Sequence, residues 1–202
     1  MSVNLQKGQK VDLTKGNSKL RRVMIGLGWD ESTKPSGGGL AGLFGGGKKQ
    51  SVDCDASAFL CGAGGKLKDK GDIIYFGNLQ HTSRCVKHMG DNLTGAGEGD
   101  DEQIWVDILD MPEKYEKIVF VVNIYQARER KQHFGMIKNA FIRVVDADTN
   151  QELYKYNLSE NYENMTAMIF GEVYRHGGDW KFNAIGQATT DNGIGEVANR
   201  LA

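Results

Sequence analysis

The sequence predicts a mainly β protein: a β-sandwich of two antiparallel-rich sheets with a few short helices and a C-terminal helix. Three observations carry this prediction. Short runs rich in Val, Ile, Phe and Tyr recur between glycine and polar breaks, which is the spacing of sandwich strands. The chain has 202 residues, a length that β-built domains reach as one unit, so a single domain over 1–202 is expected. Hydrophobic residues make up 40% and charged residues 25%, the balance of a chain that buries a core.

The strand-like runs lie at residues 21–27, 52–61, 72–76, 103–109, 117–125, 140–145, 152–156, 165–176 and 179–187. The last two flank Arg175-His176-Gly177-Gly178-Asp179, whose glycines suit a hairpin turn. Helical signals are few. Residues 128–133 allow a short turn, and Ile194, Val197, Ala198 and Leu201 fall at helical spacing after Asp191-Asn192-Gly193. A glycine-rich stretch at 37–47 surrounds Leu40, Leu43 and Phe44 and reads as an inserted loop spanning about 34–50.

The formal net charge is −1, which lacks the positive field that non-specific nucleic-acid binding needs, so nucleic acid is not an expected partner. The first residues lack a signal peptide's apolar run and no segment approaches the length of a transmembrane helix, so the expected location is cytoplasmic. Cys54, Cys61 and Cys85 show no CxxC spacing and are expected to be reduced packing residues rather than disulfides or zinc ligands. His81, His88, His133 and His176 are scattered, and their spacing nominates no Ser–His–Asp or Cys–His arrangement. Gly26-Leu27-Gly28 and the glycines at 95–99 lack the Gly-Lys-Ser/Thr of a phosphate loop.

The chemistry concentrates in residues 91–102, Asp91-Asn92-Leu93-Thr94-Gly95-Ala96-Gly97-Glu98-Gly99-Asp100-Asp101-Glu102. Carboxylates, an amide and a hydroxyl sit on a backbone whose glycines turn sharply, and calcium asks for flexible, all-oxygen coordination of this kind. Asp100, Asp101 and Glu102 repel one another unless a cation neutralises them. The pattern is not an EF-hand: with Asp91 at position 1, Leu93 and Gly95 occupy positions 3 and 5, and Ala96 replaces the required glycine. A solvated acidic turn is the alternative, weighed against by the glycine density and the absence of Lys or Arg within the stretch.

Two further acidic positions join the set. In Val52-Asp53-Cys54-Asp55-Ala56-Ser57-Ala58 strand alternation places Asp53 and Asp55 on one face, roughly 6.5–7 Å apart, close enough to approach one ion or two neighbouring ions. Asp30 follows Gly26-Leu27-Gly28-Trp29 at a strand end.

At these residues the chain resembles the tellurium-resistance TerD family of bacterial stress-response proteins. The matching pieces are Ser2-Val3-Asn4-Leu5-Gln6-Lys7-Gly8, Gly26-Leu27-Gly28-Trp29-Asp30, Asp53-Cys54-Asp55-Ala56-Ser57-Ala58-Phe59-Leu60, Gly90-Asp91-Asn92-Leu93-Thr94-Gly95, Gly97-Glu98-Gly99-Asp100-Asp101-Glu102, Ala140-Phe141-Ile142-Arg143-Val144-Val145 and Phe170-Gly171-Glu172-Val173-Tyr174-Arg175-His176. The resemblance implies a β-sandwich that binds calcium through aspartates in neighbouring loops, and a role in resistance to tellurite and other stresses without an established catalytic reaction. The metal ligands it implies are Asp30, Asp53, Asp55, Asp91, Asn92, Asp100, Asp101 and Glu102, with backbone carbonyls from Leu93 and Gly97. Two calcium ions and partner proteins of the stress response are expected. Tellurite is an oxyanion, so direct binding at these acidic loops is electrostatically unfavourable unless calcium bridges it.

Two alternatives remain at this stage. Leu40, Leu43 and Phe44, followed by Lys48 and Lys49, suit calcium-dependent docking of the 37–49 loop on an anionic membrane surface. Clustered carboxylates could also hold ions for metal-assisted hydrolysis, but the sequence places no nucleophile, base or histidine with them.

Overall fold

The computed structural model describes residues 2–31, 51–90, 99–158, 160 and 162–202. Twelve strands, β1 (Val3–Leu5), β2 (Lys10–Asp12), β3 (Arg22–Glu31), β4 (Cys54–Cys61), β5 (Ile73–Ile74), β6 (Val86–His88), β7 (Glu102–Asp107), β8 (Lys117–Ile124), β9 (Ile137–Asp146), β10 (Gln151–Asn157), β11 (Ala167–His176) and β12 (Asp179–Thr189), form two six-stranded sheets. The first runs β1-β10-β9-β3-β7-β6 and the second β2-β12-β11-β8-β4-β5. The β1–β10 pair is parallel and the other described ladders are antiparallel. The sandwich of two antiparallel-rich sheets expected from the sequence is therefore present.

Alternation decides which side chains meet between the sheets. Val23, Ile25 and Leu27 of β3 pack with Ile104 and Val106 of β7, and across from them stand Cys54, Ala56, Ala58 and Leu60 of β4 with Ile118, Phe120 and Val122 of β8. The second sheet buries its outer face as well. Phe59, Cys61, Val119, Val121, Ala167 and Ile169 form a separate cluster under Val197 of the C-terminal helix α2 (Ile194–Arg200). A shorter helix, α1 (Ala127–Arg130), caps the end of β8, one residue ahead of the turn expected at 128–133.

Strand β4 consequently differs from its expected form. It starts at Cys54, leaving Asp53 just outside it, and all eight of its residues are buried. Continuous burial is what a strand covered on both faces shows, and here α2 covers Phe59 and Cys61 on the second face.

The β11–β12 hairpin closes as expected through Gly177 and Gly178, with φ of 61° and 86°, the two positive values that a tight two-residue turn requires. Helix α2 is fastened by Asp191, which accepts from Arg200 Nε at 2.5 Å and Arg200 Nη2 at 3.1 Å. The three-residue strands β1, β2 and β6 went undetected in the sequence because three residues are too few for a period to show.

All three cysteines are free and buried, and burial pushes the Cys61 thiol up to about 11. Among the described residues no helix is long and apolar enough to cross a membrane. The glycine-rich loop expected at about 34–50, with its candidate membrane tip, lies outside the described residues.

Candidate metal centre

The candidate site lies where the end of β3, the start of β4 and the start of β7 approach one another. Gly26 and Gly28 fix this meeting. A Cβ on Gly26 would stand 2.3 Å from the Asp100 carboxylate, and one on Gly28 would stand 2.4 Å from the Phe141 ring and 2.7 Å from the Gly99 carbonyl. Both glycines therefore clear the path for the acidic segment crossing β3. Asp101 N–H donates to the Leu27 carbonyl at 2.8 Å, and Trp29 N–H donates back to Asp101 Oδ2 at 2.7 Å. A register shift between Gly28 and Asp30 in the β3–β9 ladder re-aims the strand at this point, as bulges do.

The adjacent aspartates Asp100 and Asp101 have different surroundings. The Asp100 side chain is fully buried and receives the fork of Arg143, Nε to Oδ1 at 2.6 Å and Nη2 to Oδ2 at 2.9 Å. Gln103 Nε2 adds a bond to Oδ2 at 3.1 Å, and Arg143 Nη1 reaches Glu152 at 3.2 Å. A two-pronged guanidinium–carboxylate pair is among the strongest polar contacts in proteins. The cation that sequence reasoning demanded for Asp100 is thus a side chain of β9. Asp101 is held above the usual carboxylate range, chiefly by burial and further by the charges of Asp30 and Asp100, against the lowering effect of the Trp29 N–H. Asp30 is exposed, and its Oδ2 accepts from Asn139 Nδ2 at 2.7 Å.

Cys54 marks a second gathering of acids. Its thiol is pushed well above the ordinary range by burial and then by the charges of Asp55, Asp53, Glu102 and Asp101. Four of the sequence-predicted carboxylates therefore act on the buried start of β4, and Asp101 belongs to this group as well as to that of Asp30 and Asp100. Asp55 is buried and lies opposite Asn123 of β8. Asp53 Oδ2 stands 3.4 Å from Arg130 Nη1.

Glu102 is buried between the sheets at 2% exposure. Its Oε2 accepts from Ala56 N–H at 2.7 Å and stands 3.2 Å from His88 Nε2. His88 Nδ1 accepts from Gly90 N–H at 3.2 Å, so the partners assign the proton to Nε2. His88 thereby clasps residues on both sides of the 91–98 segment. Asp91, Asn92, Leu93 and Gly97 lie outside the described residues. Among the described residues no three His, Cys, Asp or Glu side chains are grouped closely enough to hold a metal ion by themselves.

Sequence reasoning missed Arg143, His88, Arg130 and Asn139. Arg143 had a legible signal, a lone cation inside the apolar run Phe141-Ile142-Arg143-Val144-Val145. A Ser–His–Asp alignment also exists that spacing did not reveal. His81 Nδ1 lies 2.7 Å from Ser83 Oγ, and His81 Nε2 lies 3.1 Å from Asp72 Oδ1. Ser83 N–H donates to the same Nδ1 at 3.1 Å, and Ser83 Oγ accepts from Cys85 N–H. Tyr115 O–H donates to Asp72 at 2.5 Å. These bonds fasten the turn at residues 81–85 to the start of β5.

The TerD domain profile matches residues 1–201. The chain is 50% identical over 202 residues to the stress response protein SCP2 of Bacillus subtilis (strain 168), covering 99% of each chain. It is 42% identical over 187 residues to the tellurium resistance protein TerD of Serratia marcescens, covering 93% of this chain and 91% of that protein. A crystal structure of a homologue of telluride resistance protein (TerD) from Streptomyces coelicolor A3(2) superposes with a TM-score of 0.61 at 19% identity, over 86% of this chain and 92% of that one. The fold is thus shared with that structure, and on the profile match and the close relatives the chain belongs to the TerD domain family.

Proposed function

We propose that this chain is a calcium-binding, non-catalytic module of tellurite and general stress resistance, in which the ion orders the acidic segments into a surface for partner proteins. The observation carrying the reading is that Asp101, bonded to Trp29 N–H of β3, and Glu102, bonded to Ala56 N–H of β4, bring the 99–102 segment to the strand start that carries Asp53 and Asp55. The donor set fits a hard cation. Its groups are carboxylate oxygens, and the cysteine among them is held protonated, which removes the soft ligand that zinc or copper would favour. Asp30, Asp53, Asp55, Asp101 and Glu102 would contribute to two ions only together with Asp91, Asn92 and the Leu93 and Gly97 carbonyls, because no three of the described acids are grouped closely enough to hold an ion by themselves. Asp100 serves by holding the crossing in register through Arg143. When bound, the ion supplies positive charge that offsets the mutual repulsion of these acids.

The relatives' names support the stress-resistance part of the reading. The test is thermal unfolding with calcium or magnesium. Calcium is expected to raise the melting temperature with a concentration dependence that follows mass action, about 2.7 kcal/mol of stabilisation at one hundred times the dissociation constant, and magnesium to do so at much higher concentration. A melting temperature indifferent to both ions contradicts the reading.

A further inference from the structure

The outer face of the second sheet carries a cavity of about 920 Å³ beside α2, within the size range of small-molecule sites. Its origin follows from strand alternation. Asp55, Ser57, Phe59 and Cys61 share the outward side of β4, and α2 covers the latter two. Asp55 and Ser57 lie beyond that cover and, with Asn123 from the neighbouring strand, line the cavity. Leu67 and Ile73 line one side, Ile194 and Ala198 the other.

The floor is polar and buried. Ser57 is 1% exposed, and its Oγ has no hydrogen-bond partner among the described residues. A buried hydroxyl left in this state is destabilising, and a ligand offering a polar hydrogen or lone pair recovers the loss. The charge around the cavity selects the ligand's sign. Asp55 lies in the floor and Asp69, Glu129 and Glu196 at the exposed rim, against Lys68 and Lys70 at the same rim, so four acids face two lysines around the cavity. Just ahead of α2, Asn192 N–H donates to Glu196 Oε2 at 2.9 Å, which sets a carboxylate at the helix start and opposes an anion there.

We propose that this cavity is a binding site for a small amphipathic organic cation, an ammonium group on an apolar body, with the ammonium over Asp55 and Ser57 and the body between Ile73 and Ile194. The site goes beyond the calcium reading and does not depend on it. Asp55 is the residue common to both, so the test leaves Asp55 intact.

Tryptamine is titrated into the calcium-free protein and followed by the methyl NMR signals of Leu67, Ile73 and Ile194, with indole-3-propionate as the oppositely charged analogue. Tryptamine is expected to bind saturably and to shift these signals, and the propionate to bind at least about tenfold more weakly. Ala198→Trp, which fills the cavity, and Glu129→Lys, on an exposed residue, are each expected to weaken tryptamine at least about fivefold while leaving calcium binding as in the wild type. The proposal is overturned by absence of saturable binding up to about 5 mM, by equal binding of the two indoles, or by unchanged affinity in either variant that keeps the wild-type circular dichroism spectrum. Should Ala198→Trp not fold, Glu129→Lys decides.

Discussion

Asp100 and Asp101 are neighbours in the chain, yet the fold gives them opposite surroundings. Asp100 lies across Gly26 and is enclosed by Arg143 and Gln103, so its charge is met within the protein. Asp101 sits among Asp30, Asp100 and the acids around Cys54 with its proton affinity raised. An acidic run is thus not one unit. The contrast places the first residue in the architecture and makes the second the one through which the proposed ion binding is tested.

The largest expected effect breaks the architectural half. Arg143→Ala leaves the Asp100 carboxylate buried without its counter-charge and should destabilise by about 3 kcal/mol, toward the lower end for a broken buried pair because Arg143 keeps some contact with water. Urea titration reads this directly; a loss under about 1 kcal/mol would mean that water or another cation can replace the fork. Gly26→Ala should cost about 1–3 kcal/mol by forcing the Asp100 carboxylate off its seat, measured the same way. An unchanged midpoint would show that β3 and the 99–102 segment separate freely.

A smaller effect sharpens the ion-binding half. Because the folded chain holds the Asp101 proton more tightly than the unfolded chain, metal-free stability should fall as pH rises from the ordinary aspartate value through the raised one. Calcium needs the charged form, so its affinity should rise across the same window. Asp101→Asn should flatten both slopes. Persistence of the affinity slope in that variant would place the responsible proton elsewhere.

The sandwich was legible because alternation and turn residues are local signals. Gly177-Gly178 announced its hairpin, and the spacing of Ile194, Val197, Ala198 and Leu201 announced α2. The site was legible as a list of acids but not as a division of labour. Arg143 lies more than forty residues from Asp100 in sequence, so an acidic segment free of Lys and Arg looked short of a cation that β9 supplies. The same non-locality hid Asp55. Its period-two spacing correctly set it opposite the core, but only the packing of α2 and its neighbouring segments turns that outward face into an interior one. Gly26 and Gly28 were readable as special, whereas their purpose, space for a crossing carboxylate and a carbonyl, required the third dimension.

The most direct measurement is isothermal calorimetry of calcium with the wild type, Asp101→Asn and Asp100→Asn, each checked for folding by circular dichroism. The wild type is expected to bind calcium, and Asp101→Asn to lose at least about tenfold in affinity while remaining folded. Asp100→Asn should act mainly on stability, with a smaller change in affinity wherever it stays folded. No calcium binding by the wild type, or an Asp101→Asn isotherm that overlays it, would contradict the account.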